Sequence, residues 1–145
     1  MDDQLKLDNQ LCFPLYASSK EIVRLYRPFL EPLGLTYTQY ITMLVMWEQK
    51  KVNVKTLGDR LYLDSGTLTP LLKRLEGQGY VVRQRDPQDE RNVNVSITEK
   101  GEKLKEQARY IPAKISACLP LSPDEAKTLY ELLYRVLNNC SSGRV

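Results

Sequence analysis

Apolar residues recur with helical period along most of the chain, and the interruptions mark its turns. From Leu7 to Leu30, one row holds Leu11, Leu15, Ile22, Leu25 and Phe29. A second holds Cys12, Tyr16, Ser19, Val23, Tyr26 and Leu30. Two adjacent rows are broader than a surface helix needs and predict burial on two sides, for instance in a core and a dimer interface. Pro14 lacks a backbone donor, so it either starts the well-formed helix or kinks it just after Cys12. Pro28, Pro32 and Gly34 end this element. Thr36 or Thr38 then caps a second helix, about Thr38 to Gln49, which offers Ile41, Leu44, Val45 and Trp47 to the core. Lys50 and Lys51 close it near the negative end of its dipole.

Two short helical patterns follow: Val54 to Leu61, and a segment ending near Gln78. Between them lies the turn Tyr62-Leu63-Asp64-Ser65. Leu68, Leu71, Leu72 and Leu75 fill the i, i+3, i+4, i+7 template, with Thr69, Lys73 and Arg74 on the other side and Ser65 and Thr67 at the start. This order reads as helix-turn-helix. Pro70 leaves the start open: Thr69 caps with Pro70 first, or the helix opens at Ser65 with Pro70 inside at some cost. Tyr80 to Arg85 and Val93 to Ile97 read as strands, the second alternating strictly. Their connection, Asp86 to Asn92, is polar and longer than a tight hairpin turn. A hairpin with a long charged tip behind a helix-turn-helix is a wing. Thr98 or Glu99 opens a helix to about Ala117, interrupted by Pro112. Ser122-Pro123-Asp124-Glu125 is a capping box with Pro in first position. It starts a last helix whose apolar face is Leu129, Leu132, Leu133, Val136 and Leu137; the tail Ser141 to Val145 is expected to fray.

Composition narrows the chemistry. The 145 residues are 42% hydrophobic and 27% charged, a globular balance. No apolar run approaches the roughly 18 residues of a membrane span. Met1-Asp2-Asp3 has no basic-then-apolar leader pattern, so a cytoplasmic location is expected, where Cys12, Cys118 and Cys140 make a poor disulfide framework. There is no histidine, which removes Ser-His-Asp and Cys-His nucleophiles, imidazole acid–base chemistry and most zinc sites. No enzyme, metal or cofactor is expected. Net charge is only +3, so a nucleic-acid role must come from local clustering. Residues 65–85 carry Lys73, Arg74, Arg83 and Arg85 against Glu76 alone, a local excess equal to that of the whole chain, and Arg91 adds to it on the wing. A basic helix alone more often only solvates an outer face. Helix, turn, helix, hairpin and basic tip together point to double-stranded DNA. The second helix would enter the major groove, with Arg91 in the minor groove.

Cys12 lies near a helix start, in the row of Tyr16 and Tyr26. A thiol reacts as its thiolate, and without histidine only tyrosine hydroxyls and amide dipoles can favour that form. Tyr16 is one turn away, but Tyr26 is about four turns along at 1.5 Å per residue. Tyr26 reaches a Cys12 only from an antiparallel partner chain, which leaves an intersubunit site or no role. The plainer reading, a thiol used for packing, stands beside this one.

The chain resembles the MarR-type winged-helix repressors, and within them the organic-hydroperoxide-sensing branch. The resemblance rests on Leu11-Cys12-Phe13-Pro14-Leu15-Tyr16, Gly34-Leu35-Thr36-Tyr37-Thr38-Gln39-Tyr40, Leu63-Asp64-Ser65-Gly66-Thr67-Leu68-Thr69-Pro70-Leu71-Leu72 and Asp89-Glu90-Arg91-Asn92. It implies a mainly α fold with a small β-hairpin, one domain over residues 1–145. The winged helix-turn-helix would cover about 38–98 and the dimerisation elements about 7–30 and 99–140. It implies a homodimer, and a recognition helix that starts near Ser65. Ser65, Gly66, Thr67, Thr69 and Arg74 would face the major groove, with Lys73 and Arg85 on the same basic face. Arg91 would enter the minor groove, oriented by Asp89. It further implies that Tyr16, Tyr26 and Tyr37 support the Cys12 thiol, and that an organic hydroperoxide oxidises it. An intersubunit disulfide with Cys118 would then release operator DNA. Cys140 is expected to be incidental. The competing expectations are a regulator of the same fold answering a phenolic or lipophilic ligand, and a thiol peroxidase. Arg24 and Arg27, more than two turns from Cys12, are poorly placed for the second.

Overall fold

The computed structural model describes residues 2–141, in two compact units, 1–112 and 113–145. It is mainly helical with a small antiparallel sheet, a winged helix-turn-helix. In the first unit two short 3-10 turns, Asp3–Leu5 and Leu7–Asn9, precede α1 (Cys12–Leu30), α2 (Tyr37–Gln49), β1 (Lys51–Asn53), α3 (Val54–Leu61), α4 (Ser65–Gly77), β2 (Val81–Arg85), β3 (Val93–Ile97) and α5 (Glu99–Ala108). α6 (Ile111–Cys118) begins in this unit, and α7 (Pro123–Ser141) lies in the second. Among the described residues no helix is long and apolar enough to cross a membrane. The expected fraying concerns residues 142–145, outside the described part, and Ser141, which ends α7.

The first helix begins at Cys12, so Pro14 sits in its first turn, where a missing amide costs nothing. Pro28 does not end it: α1 runs on to Leu30 with Pro28 inside. The carbonyl that loses its partner there belongs to exposed Arg24, where water can replace the bond. Burial of α1 is also narrower than its two apolar rows predict, since within this chain only Leu30 is fully buried.

Thr36 caps α2, and Gln39 completes a capping box by accepting from the Thr36 amide at 2.9 Å. The core of the first unit is built from Tyr40, Met43, Val45, Met46 and Trp47 of α2, with Leu57, Leu68, Leu71, Leu72, Leu75, Val81 and Val95. Leu44, expected inside, is 42% exposed; Met43 and Met46 fill the positions that point inward. The Trp47 indole donates to the Gly101 carbonyl at 2.9 Å and ties α2 to α5.

The sheet has three strands where two were expected, in the order β1-β3-β2. Lys50 has φ of 66° and turns the chain back, so that Lys51, which was expected to close the helix, opens a strand instead. Val52 pairs opposite Val95. Three residues, two of them polar, carry no strand signal of their own; pairing with β3 makes them one. Thr98 caps α5, accepting from the Gly101 amide at 3.0 Å. The break before α6 falls at Arg109-Tyr110, and Pro112 occupies the first turn of α6.

In the second unit, Ser122 and Glu125 form the expected capping box, with bonds of 2.9 and 3.2 Å. α7 leaves Leu129, Leu132, Leu133 and Val136 exposed, and the rings of Tyr130 and Tyr134 meet at a tilt, their centroids 4.7 Å apart.

Candidate nucleic-acid interface and thiol site

α3 and α4 are joined by a turn that leaves little freedom. Tyr62 takes the left-handed conformation, and the Leu63 amide returns to the Gly58 carbonyl at 3.0 Å. A Cβ on Gly58 would lie 2.9 Å from the Leu63 carbonyl oxygen, so the helices meet this closely only with glycine there. Asp64 is the N-cap of α4, accepting from the Thr67 amide at 2.8 Å. That bond holds the Asp64 carboxyl below the usual carboxylate range. Leu68, Leu71, Leu72 and Leu75 anchor the inner face, so Ser65, Gly66, Thr67, Thr69, Lys73 and Arg74 are all exposed.

Behind this helix, Arg83 does not join the free cations. Glu76 accepts from its backbone amide at 3.0 Å and from its guanidinium at 3.1 Å, which locks β2 to α4. These bonds lower the Glu76 pKa, the backbone amide contributing most. The clustered charge therefore resolves into an internal strut, Glu76–Arg83, and an outer set: Lys73, Arg74, Arg85 and Arg91. Arg85 donates to the Glu90 carbonyl at 3.0 Å across the wing. Asp89 accepts from both the Arg91 amide and its Nε, at 3.1 and 3.2 Å, while the Arg91 side chain stays 91% exposed. A groove of about 380 Å³ lies between α3, the start of α4 and the wing, lined by Lys55, Asp59, Asp64, Ser65, Arg91 and Asn92.

The thiol residues are arranged differently. Cys12, Cys118 and Cys140 are free and exposed. Cys12 heads α1, with Tyr16 one turn on; Lys20 sits over the Tyr16 ring at 5.1 Å from its centroid. Tyr26 and Tyr37 come together near the other end of α1, their rings 4.9 Å apart. The rise of the helix separates Tyr26 from Cys12 by about 21 Å. Sequence reasoning missed the third member of this cluster, Tyr40, which lies 5.5 Å from Tyr26 and 6.5 Å from Trp47. The spacing of Tyr37, Tyr40, Leu44 and Trp47 along one side of α2 carried that signal. Burial pushes the Tyr26 phenol up to about 12, with the neighbouring Tyr37 and Tyr40 adding to the shift. Burial also raises Tyr37 and Tyr40.

A basic reading helix, a wing with an extended arginine and a buried anchoring face define a DNA-binding regulator. The family model of the SarA/Rot transcriptional regulators matches residues 24–108, and the chain belongs to this family of MarR-type winged-helix proteins, whose members regulate transcription and are not enzymes. It is similar to the organic hydroperoxide resistance transcriptional regulator of Bacillus subtilis (strain 168), at 50% identity over 135 residues, 93% of this chain and 92% of that protein. Among solved structures, reduced AbfR bound to DNA matches with a TM-score of 0.79 at 37% identity, over 95% of this chain and 96% of the other. Disulfide-formed AbfR matches with a TM-score of 0.67 at 36% identity, over 95% and 94%. AbfR is a Staphylococcus epidermidis protein.

Proposed function

We propose that the chain is a homodimeric, cytoplasmic DNA-binding repressor whose Cys12 senses organic hydroperoxides and whose oxidation releases operator DNA. The observation that carries the reading is the division of the tyrosines. Tyr26 and Tyr37 meet near one end of α1 while Cys12 opens the other, so one chain holds parts of two sites. Two α1 helices packed antiparallel bring Cys12 of one chain to Tyr26 and Tyr37 of the partner subunit. Phenols whose pKa is raised stay protonated at neutral pH and can donate to sulfur, which favours the thiolate. The exposed apolar residues Phe13, Leu15 and Val23 of α1, and Leu129, Leu132 and Val136 of α7, are the kind of surface a second copy covers.

In the switch, the Cys12 thiolate attacks a peroxide oxygen. The O–O bond breaks, the alkoxide takes a proton and leaves as an alcohol, and Cys12 becomes a sulfenic acid. The thiol of Cys118 of the partner subunit then attacks that sulfur, forming the disulfide and expelling water. Phenols that bonded a thiolate lose their acceptor, and the helices carrying them shift. The two recognition helices then no longer match half-sites about one turn of DNA apart. On the DNA side, Ser65, Gly66, Thr67 and Thr69 approach base edges. Lys73, Arg74 and Arg85 meet phosphates, and Arg91, held by Asp89, enters the minor groove. The similarity to AbfR, a protein solved in reduced, DNA-bound form and in disulfide form, supports the same cycle here.

The test is a gel shift on an operator fragment with cumene hydroperoxide, with and without dithiothreitol. Wild type is released and recovers with thiol. Cys12→Ser stays bound under oxidant. Cys118→Ser is released either more reversibly with small thiols or only after overoxidation. Release of Cys12→Ser like wild type defeats the sensor assignment and leaves the ligand-responsive regulator in its place.

A further inference from the structure

α4 is capped by Gln78, whose amide donates to the Arg74 carbonyl at 2.9 Å. From there Gln78 reaches two other elements. Its side-chain Nε2 donates to the Gly34 carbonyl at 2.7 Å, and its own carbonyl accepts from Lys100 of α5 at 2.8 Å. The opposite amide orientation would set Oε1 against a carbonyl oxygen, so chemistry fixes the one present. In it, Oε1 is buried and has no donor among the described residues. An unpaired buried acceptor is unfavourable, so the bond from Nε2 is what this side chain contributes.

The surroundings make that bond matter. Gln78 stands between Gly77 and Gly79. A Cβ at 77 would meet nothing within 4 Å, so packing does not require glycine there, and the backbone at this end of α4 stays compliant. The leucine face holds α4 against the core, but apolar packing is non-directional; a hydrogen bond has direction. On the other side of the bond, Gly34 has φ of 69°, and a Cβ there would lie 3.3 Å from Gln78 Nε2. The Gly34 amide donates to the Glu31 carbonyl at 3.0 Å and the Leu35 amide to the Leu30 carbonyl at 3.1 Å, which fixes this corner to the end of α1. Just beyond it Tyr37 opens α2 and meets Tyr26 of α1. The corner that carries both phenols is therefore one hydrogen bond away from the helix that carries Arg74.

We propose that Gln78 is a positioning residue for DNA binding: through the Gly34 carbonyl it ties the reading helix to the tyrosine-bearing corner between α1 and α2, so that displacement of the corner displaces the reading helix. The proposal rests on the redox switch above and supplies the link between its two halves. In the reduced protein the bond holds α4 in the pose that fits DNA. After oxidation the same bond carries α4 away with the corner. Lys100 ties the same end of α4 to α5 and lies outside this path.

The experiment titrates a labelled duplex, selected from a random-sequence library by the reduced wild-type protein, with full-length protein in dithiothreitol and after cumene hydroperoxide. The readout is the ratio of the oxidised to the reduced Kd. Gln78→Met keeps the length, loses the donor and also removes the unpaired Oε1, so its urea midpoint should hold. Its Cys12 should oxidise at the wild-type rate, while the Kd ratio falls about fivefold, the weight of one hydrogen bond. Lys100→Met should weaken both forms alike and leave the ratio unchanged. A wild-type ratio in Gln78→Met, an equal fall in Lys100→Met, or a fall that comes with a lower urea midpoint overturns the proposal. A ratio of one in the wild type itself means that the redox reading fails and takes the proposal with it.

Discussion

The recognition helix with its wing and the first helix are both amphipathic and both carry functional side chains, but they differ in completeness. Within one chain α4 buries its leucines, and the struts around it are closed: Asp64 caps it, Glu76 holds Arg83, and Asp89 holds Arg91. α1 leaves much of its apolar surface uncovered, with Cys12 at one end and the Tyr26–Tyr37 pair near the other. The binding surface is a property of the chain. The chemical switch, as we read it, belongs to a pair of chains. In the proposed switch, such a division would couple sensing to the spacing of two recognition helices, because the disulfide would also set how the halves are held.

The largest expected effect tests that division through mixed dimers. Tyr26→Phe should slow oxidation of Cys12 of the partner subunit. A dimer of one Cys12→Ser chain with one Tyr26→Phe chain should therefore keep one normal oxidisable site. A dimer of wild type with the double variant Cys12→Ser/Tyr26→Phe should react slowly. Stopped-flow oxidation and gel shift distinguish the two, and equal rates would mean that the tyrosine serves its own chain. Next in size, Leu72→Ala empties a position that is 1% exposed in the anchoring face of α4. It should cost about 2–5 kcal/mol in a urea melt and weaken DNA binding through the misplaced helix. Arg91→Ala should weaken binding at all sequences and reduce the slope of log affinity against log salt by about one. Glu76→Gln keeps shape but loses charge on the strut. It should lower affinity less than Arg91→Ala and leave Cys12 oxidation unchanged.

The smallest effects are in pH dependence, and their signs differ between the two regions. Glu76 has a lowered pKa in the folded chain. Its stabilising contribution is present above the ordinary carboxylate pKa and is lost as pH falls through its folded value, a loss that Glu76→Gln removes. Tyr26 titrates near 12 against an ordinary 10. Its contribution is complete below pH 10 and is lost as pH rises from 10 to 12. Absorbance at 295 nm during alkaline titration, wild type against Tyr26→Phe, reads this directly.

Much of the reading region could be seen in the residues alone. The leucine spacing of α4 and the alternation of Val93, Val95 and Ile97 are local patterns whose period is the structure's own period. The capping boxes at Thr36 and Ser122 likewise involve neighbours in sequence. Local rules fell short at two prolines: Pro70 fitted a helix start at Ser65 or a cap at Thr69, and Pro28, read with Pro32 and Gly34 as the end of the first helix, lies inside it. Tertiary packing decided both, because burial of Leu68 and Leu30 outweighs one missing hydrogen bond at an exposed position. Three further features existed only in the folded chain: the strand at Lys51–Asn53, the capture of Arg83 by Glu76, and the meeting of Tyr26, Tyr37 and Tyr40. Each joins residues from separate elements, and no periodicity records a contact between segments that the chain brings together only by folding. Sequence by itself determined which faces are apolar and which side chains are basic or reactive. The tertiary structure decided which of those charges stay free and which aromatic rings meet, since both depend on distances between segments.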